Sequence, residues 1–319
     1  MPTEPTNKIP EISVADFVET FPSELDPEVV AGRESLETCK LTSERIQKLG
    51  LALTGFTDYL RKGRIKVVGN SEVSYLSHLA VRQQKQALKK IDPAVLSCLL
   101  VTKGLEIPDS LTDYADENQI PLLRTQLVSS RAISLVTGFL QETLAPQITL
   151  HGVLMGMYGI GVLILGDSGI GKSECALDLI SRGHRLVSDD SVVIKRIGDR
   201  LIGDSPEVTR GHLEIRGLGI IGVSELFGVS VIGEKSEIEL SIELKQWDTV
   251  ENVERLGLEL EKREVFGVKI ANFILPVSPA RNLSTLVETA VKIFLLKRSG
   301  IDAAHDLILK HSAMVSGGH

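Results

Sequence analysis

The octapeptide Gly166-Asp167-Ser168-Gly169-Ile170-Gly171-Lys172-Ser173 constrains this chain more than any other feature. It satisfies G-x-x-x-x-G-K-[ST] at every fixed position, and each fixed residue has a physical task. The glycines let the backbone wrap a polyphosphate with its N–H groups, Lys172 reaches the outer phosphates, and Ser173 offers its hydroxyl to Mg²⁺. The flanks agree with this reading. Gly159 to Leu165 reads as a buried strand, and Glu174 to Arg182 as a helix with Ala176, Leu179 and Ile180 inward. The unpaired N–H groups and the dipole of a helix N-terminus both favour an anion. Strand, phosphate loop and helix in this order predict an α/β fold that uses a nucleotide.

With 319 residues, 43% of them hydrophobic, the chain is long enough for two domains. A boundary is expected at Ala145-Pro146, with an N-terminal α/β domain over residues 1–144 and a P-loop catalytic domain over residues 145–319. In the first, Ile12 to Phe21 reads as a short helix and Leu79, Ala80, Gln83 and Ala87 share a second helix face that begins near Ser77 and stops at Asp92-Pro93. Val95 to Val101 and Ile120 to Leu123 read as strands, Ile107 to Ser110 as a helix start, and Ser129-Ser130 caps a helix reaching about Leu144. In the second, Arg185 to Ser188 is a strand, and Val192 to Ile197 pairs with Leu201-Ile202 through Gly198-Asp199-Arg200. Glu237 to Leu244 alternates apolar and polar residues, which predicts one wet or partner-facing side. Lys269 to Leu275 is a last strand, and Asn282 caps a helix through about Arg298.

Charge and composition exclude several function classes. Lys and Arg number 35 against 42 Asp and Glu, a net charge of −7, and aromatic residues make up only 4%. A nucleic-acid binder needs a basic face and aromatic stacking platforms. Cys39, Cys98 and Cys175 are odd in number and lack CxxC spacing, so neither a disulfide framework nor a zinc site is expected. No apolar run is long enough to span a bilayer, and the polar N-terminus does not read as a signal peptide. A cytoplasmic protein without nucleic-acid or membrane partners is the expectation.

A phosphate loop alone does not say what is done with the nucleotide, so the remaining chemistry must come from nearby charged groups. Asp189-Asp190 ends the strand that follows the loop helix, which in an open α/β sheet places it on the same edge as the loop. One carboxylate can orient Mg²⁺ while the other takes a proton from an attacking hydroxyl; an acidic turn is the competing reading. Glu214, with Arg216 in an otherwise apolar and glycine-rich segment, is either a second oxygen ligand for Mg²⁺ or half of a salt bridge, and such a charged pair argues against an ordinary strand. His151 precedes the loop strand and is either a structural histidine or a proton carrier.

Taken together, His151-Gly152-Val153-Leu154, Gly166 to Ser173, Arg182 to Asp190, Leu213-Glu214-Ile215-Arg216-Gly217-Leu218-Gly219-Ile220-Ile221 and Arg281-Asn282-Leu283 resemble the bacterial HPr kinase/phosphorylase family. The resemblance runs from about His151 to Asp302, and its LEIRGLGII segment is highly specific. It implies a homohexameric enzyme that transfers the γ-phosphate of ATP to a serine of the phosphocarrier HPr. It also implies the reverse, in which inorganic phosphate attacks phosphoserine and leaves as pyrophosphate. On that resemblance Lys172 holds phosphate, and Ser173 and Glu214 hold Mg²⁺. Asp190, supported by Asp189, is base in one direction and acid in the other, and His151 and Arg255 belong to the active site. Leu213 to Gly222 serves both directions, and Pro276-Val277-Ser278-Pro279-Ala280-Arg281 serves dephosphorylation.

The chain departs from the family pattern in carrying Ala280 where a glycine usually precedes the arginine, and Gly156 where an aspartate is common. The first loses the φ > 0 freedom of glycine, so phosphorolysis is expected to be weaker than phosphorylation. Two other classes fit the phosphate loop: a nucleotide-dependent switch without transfer, and a kinase acting on a small molecule. A switch needs ligands for Mg²⁺ but no base aimed at a serine, which makes Asp190 the discriminating residue.

Overall fold

The computed structural model describes residues 10–247, 260–278 and 281–302. They form two compact α/β units that adjoin in sequence at Ala145 and Pro146.

In the first unit, strands β1 (Glu28–Ala31), β2 (Gln47–Lys48), β3 (Ile65–Val68), β4 (Cys98–Val101) and β5 (Leu122–Arg124) form one sheet in the order β1-β5-β4-β3-β2. Strands β2 to β5 are parallel, and β1 closes an edge antiparallel. The four-residue runs of β3 and β4 are buried throughout, as they must be in a sheet covered on both faces. Leu99 and Val101 face one apolar cluster with Leu111 and Ala115 of the helix Asp109–Glu117. Cys98 and Leu100 face another, with Phe17 and with Val136 and Leu140 of the helix Ser129–Thr143.

The helix expected from near Ser77 to Asp92-Pro93 is Val81–Leu88, and a separate helix not expected from the sequence, Asn70–Ser77, precedes it. Glu72 accepts from the Gly69 N–H at 2.9 Å and Gln83 from the Ala80 N–H at 3.1 Å, so each helix is capped by its own third residue. The bond from the Ala80 N–H to Gln83 fixes the start of the second helix at Val81, later than the Ser77 that apolar spacing suggests.

In the second unit, the strands are β6 (Gln147–His151), β7 (Val153–Met157), β8 (Ile160–Gly166), β9 (Arg185–Ser188), β10 (Ser191–Ile197) and β11 (Arg200–Asp204). They continue with β12 (His212–Ile215), β13 (Gly219–Gly222), β14 (Ser236–Gln246), β15 (Glu261–Val265) and β16 (Val268–Val277). The main sheet runs β9-β7-β8-β14-β11-β10-β6, with β16 also paired to β14 and β15 to β16. It is mixed: β8, β14 and β16 are mutually parallel, while β7 lies antiparallel between β8 and β9. Two antiparallel steps restore direction, so β8 and β9 end on the same edge. Register places Gly166 beside Leu244 and Leu244 beside Leu275, so the segments after β8 and β16 leave from that edge too.

Helices α1 (Lys172–Ser181) and α2 (Leu283–Arg298) cover one face of this sheet. Ala176, Leu179 and Ile180 of α1 and Val287, Ala290 and Val291 of α2 share a cluster with Val162, Ile164, Leu240 and Ile242. Asn282 accepts from the Thr285 N–H at 2.8 Å and starts α2 as its sequence indicates. The wet face expected of β14 holds only toward its ends. Glu239 pairs with Arg298, and Glu243 with Arg263 at 2.8 Å, but Ser241 between them is fully buried and donates to Asn272 Oδ1 at 2.5 Å.

Candidate active site

The phosphate loop follows β8 and curls through three left-handed glycines, Gly166, Gly169 and Gly171, into the N-terminus of α1. A side chain at Gly166 would sit 2.7 Å from the Leu244 carbonyl, so the loop needs glycine there for space as well as for φ. Asp167, Ser168 and Gly169 are exposed, while Ile170 is anchored against the apolar cluster under α1. Lys172 is 6% exposed and its Nζ donates to the carbonyls of Gly166 at 2.8 Å and Asp167 at 3.0 Å. Burial lowers its pKa, while Asp190, Asp189 and Asp167 pull the other way.

Asp189 and Asp190 form the turn between β9 and β10 and have opposite environments. Asp189 is 5% exposed and accepts the Ser173 hydroxyl at 3.0 and 3.3 Å and the Glu214 N–H at 3.1 Å. Burial raises its pKa against the pull of those donors. It therefore ties the start of α1 to the strand β12. Asp190 is exposed and held at φ +64°, a conformation that Asp tolerates better than most residues. Its carbonyl accepts the Gly152 N–H at 3.1 Å, and its Oδ1 lies 2.9 Å from His151 Nδ1. The register that places His151 opposite Ser191 in the β6–β10 ladder produces this meeting.

Glu214 and Arg216 belong to a two-stranded hairpin, β12 and β13. The expectation that this charged pair would not form an ordinary strand is corrected. Leu213 and Ile215 point into the core and Glu214 points out, so β12 is a strand with normal alternation. The Leu218 N–H closes the turn on the Ile215 carbonyl at 3.1 Å, with Gly217 and Gly219 both at φ +86°. Leu218 and Ile220 are exposed, and Ile221 packs on the core. His151, Ser168, Gly169, Lys172, Ser173, Asp189, Asp190, Glu214 and Arg216 line one cleft.

Among the sequence candidates, Pro276 and Val277 end β16 on the loop edge of the sheet, Ser278 follows it, and Arg281 lies over the Trp247 ring at 4.5 Å. Arg255, Pro279 and Ala280 lie outside the described residues. Sequence reasoning missed the Trp247 platform and the seat of Arg216 on the loop, where a Cβ on Gly169 would lie 2.6 Å from the guanidinium. Neither leaves a local signal, because each joins segments tens of residues apart.

Models described as the HPr Serine kinase N terminus and the HPr Serine kinase C-terminal domain match residues 12–140 and 142–311. The chain belongs to the HPr serine kinase family. A curated HPr kinase/phosphorylase of Geobacter sulfurreducens is 47% identical over 268 residues, 84% of each chain. That of Alkaliphilus metalliredigens is 43% identical over 267 residues, 83% of this chain and 86% of the other. A solved structure, the Hpr(Ser) kinase/phosphatase from Coxiella burnetii, is 37% identical with a TM-score of 0.46, covering 50% of this chain and 97% of that one. The two family models together span both α/β units, so this HPr serine kinase family chain carries the N-terminal part as well as the kinase part.

Proposed function

We propose that this chain is a protein serine kinase and phosphorylase that moves a phosphoryl group between ATP and a serine of an HPr-type phosphocarrier. The observation that carries the reading is Asp190, exposed in the phosphate-loop cleft with its Oδ1 2.9 Å from His151 Nδ1. In the forward direction the serine hydroxyl attacks the γ-phosphorus, the bond to the β-γ bridging oxygen breaks, and Asp190 accepts the hydroxyl proton. His151 orients that carboxylate. In the reverse direction an oxygen of inorganic phosphate attacks phosphoserine, the P–O bond to serine breaks, and Asp190 returns the proton to the serine oxygen. Pyrophosphate leaves. The serine oxygen loses its proton in one reaction and regains it in the other, so one carboxylate placed beside it serves both.

Ser173 and Glu214 supply only oxygen donors and are tied to the same Asp189 carboxylate, a set that suits the small hard cation Mg²⁺. Bound there with the phosphates, Mg²⁺ would neutralise charge on the phosphoryl oxygens. Lys172 and the loop N–H groups hold the remaining phosphate oxygens. The family resemblance further supports a homohexamer acting in the cytoplasm, with Arg255 in the site and residues 276–281 serving the reverse reaction. Ala280 in place of glycine favours phosphorylation over phosphorolysis.

Incubation with ATP, Mg²⁺ and purified HPr, followed by mass spectrometry, should give one phosphoserine. Phosphoserine-HPr with inorganic phosphate should release pyrophosphate more slowly. No phosphoserine in the first experiment refutes the proposal.

A further inference from the structure

Glu72, in the first unit, is a buried carboxylate without a counter-charge. It is 7% exposed and sits in the first turn of the helix Asn70–Ser77, where its Oε2 accepts the Gly69 N–H at 2.9 Å. Among the described residues its Oε1 has no hydrogen-bond partner, and no lysine or arginine lies within ion-pair distance of it. A buried glutamate is ordinarily paired, because an isolated charge held out of water is costly. Gly50 keeps the second oxygen open. Its φ is not left-handed, yet a Cβ there would lie 2.8 Å from Glu72 Oε1, so room and not conformation explains a glycine at this position. Gly50 also heads the helix Gly50–Thr54, where glycine is a poor helix former.

Both residues line a pocket of about 850 Å³ between the edge strand β2 and the helix Ser129–Thr143. That volume is in the range of small-molecule sites. Its walls are mainly apolar, with Ile46, Leu51 and Ile133, and Tyr59 stands among them with its hydroxyl committed to the Lys48 carbonyl at 2.8 Å. Lys48 and Arg64 line the same pocket and pair with no carboxylate among the described residues. By contrast Lys85, Arg124 and Arg131 of this unit all hold carboxylates. The other carboxylate of the pocket, Glu44, is 3.8 Å from Arg45. A buried anion and two unpaired cations therefore border one apolar space without meeting across it.

We infer that this pocket binds a small zwitterion, an ammonium group and a carboxylate joined by an apolar body, as in an apolar amino acid or dipeptide. The ammonium donates to Glu72 Oε1, the body covers Ile46, Leu51 and Ile133, and the carboxylate meets Lys48 and Arg64. Each ligand charge then has a partner of opposite sign, and Glu72 gains the counter-charge that the chain itself withholds. A simple anion would leave Glu72 unpaired. A metal ion would find one free oxygen on Glu72 where hard cations take about six oxygen ligands. The site stands apart from the proposed phosphotransfer, in which none of these residues takes part.

The test is calorimetric titration of the full chain with the dipeptide leucyl-phenylalanine. A Kd of about 0.1 mM is expected, from the ordinary binding energy per heavy atom of a ligand this size. N-acetylation of the dipeptide removes the ammonium and should weaken binding about 10- to 100-fold, the range for a hydrogen bond to a charged group. Glu72→Gln keeps an acceptor for the Gly69 N–H, so the helix still starts, which circular dichroism checks. It should weaken the free dipeptide by a similar factor and leave the N-acetyl form within about threefold. A purely structural role for Glu72 would weaken both forms alike. Gly50→Ala should also weaken the free dipeptide, although alanine is the better helix former. Replacing Lys48 and Arg64 together by serine should remove the advantage of the free carboxylate over the C-terminal amide. A Kd for the free dipeptide above about 10 mM, or equal weakening of the free and N-acetyl forms by Glu72→Gln, overturns the inference.

Discussion

Replacing Asp189 by asparagine separates what the buried carboxylate does for the metal site from what it does to the fold. Asp189 receives the Ser173 hydroxyl and the Glu214 N–H, each at about 3 Å. An amide oxygen at the Oδ2 position keeps the Glu214 N–H and only the longer 3.3 Å approach of Ser173, so the 3.0 Å bond to Oδ1 is lost along with the charge, and a bond to a charged group nets about 1.5–3 kcal/mol. At 1.4 kcal/mol per tenfold, that corresponds to a 10- to 100-fold loss, the range seen when groups supporting metal ligands are removed.

Stability moves differently. Burial raises the Asp189 pKa, so the folded chain holds this proton more tightly than the unfolded chain. The ionised group therefore disfavours folding at neutral pH, and that penalty fades as pH falls through the raised pKa toward the ordinary carboxylate value. Asp189→Asn removes the penalty while losing a bond, so the two effects oppose. The expected result is a Mg²⁺ half-saturation for phosphotransfer raised 10- to 100-fold at pH 7, with Tm unchanged or higher. The unmutated protein should gain stability relative to the variant on acidification. An unchanged Mg²⁺ requirement, or a fall in Tm of many degrees, would refute the assignment of Asp189 as a positioning residue.

Removing the imidazole 2.9 Å from the Asp190 carboxylate by His151→Ala should lower kcat about 10- to 100-fold, the range for loss of a polar contact to a charged group, without changing the Kd for ATP; steady-state kinetics and a nucleotide titration check this. Lys66 is fully buried, its Nζ is held by the carbonyls of Arg61 and Arg64, and burial lowers its pKa to about 8. Between that value and the ordinary lysine range the unfolded chain binds more protons, so stability should rise with pH from about 8 to 10, a slope that thermal melts of Lys66→Met should lack. Asn272→Val strands the buried Ser241 hydroxyl and should destabilise by about 1–3 kcal/mol in urea unfolding. Adding Ser241→Ala should recover most of that loss, and failure to do so would mean the pair is not the cause.

What the sequence shows of this fold follows the range of the interactions. The loop from Gly166 to Ser173, its strand and its helix are local, and short-range periodicity displays them. The cap on α2 from Asn282 is equally local. The starts of Asn70–Ser77 and Val81–Leu88 are also written locally, in Glu72 and Gln83, but Gly69 and Ala80 at the cap positions lack the usual capping side chains that would announce them. Long-range consequences stayed hidden. Nothing in Glu237 to Leu244 tells that the middle of its polar face is closed by Asn272 from a strand that follows much later. The candidate residues were legible as types, and their division of labour was not: the adjacent carboxylates Asp189 and Asp190 look alike in sequence. Only the β6–β10 register, which turns Asp190 toward His151, and the approach of β12, which buries Asp189, separate them.

The central claim is that one exposed carboxylate, Asp190, handles the proton in both directions. The most direct measurement follows phosphoserine formation and pyrophosphate release by the unmutated enzyme and Asp190→Asn under identical conditions. Both rates should fall by a similar factor, about 10²–10⁴, with ATP still bound normally. Undiminished phosphorylation by the variant, or a loss in one direction alone, would contradict the account.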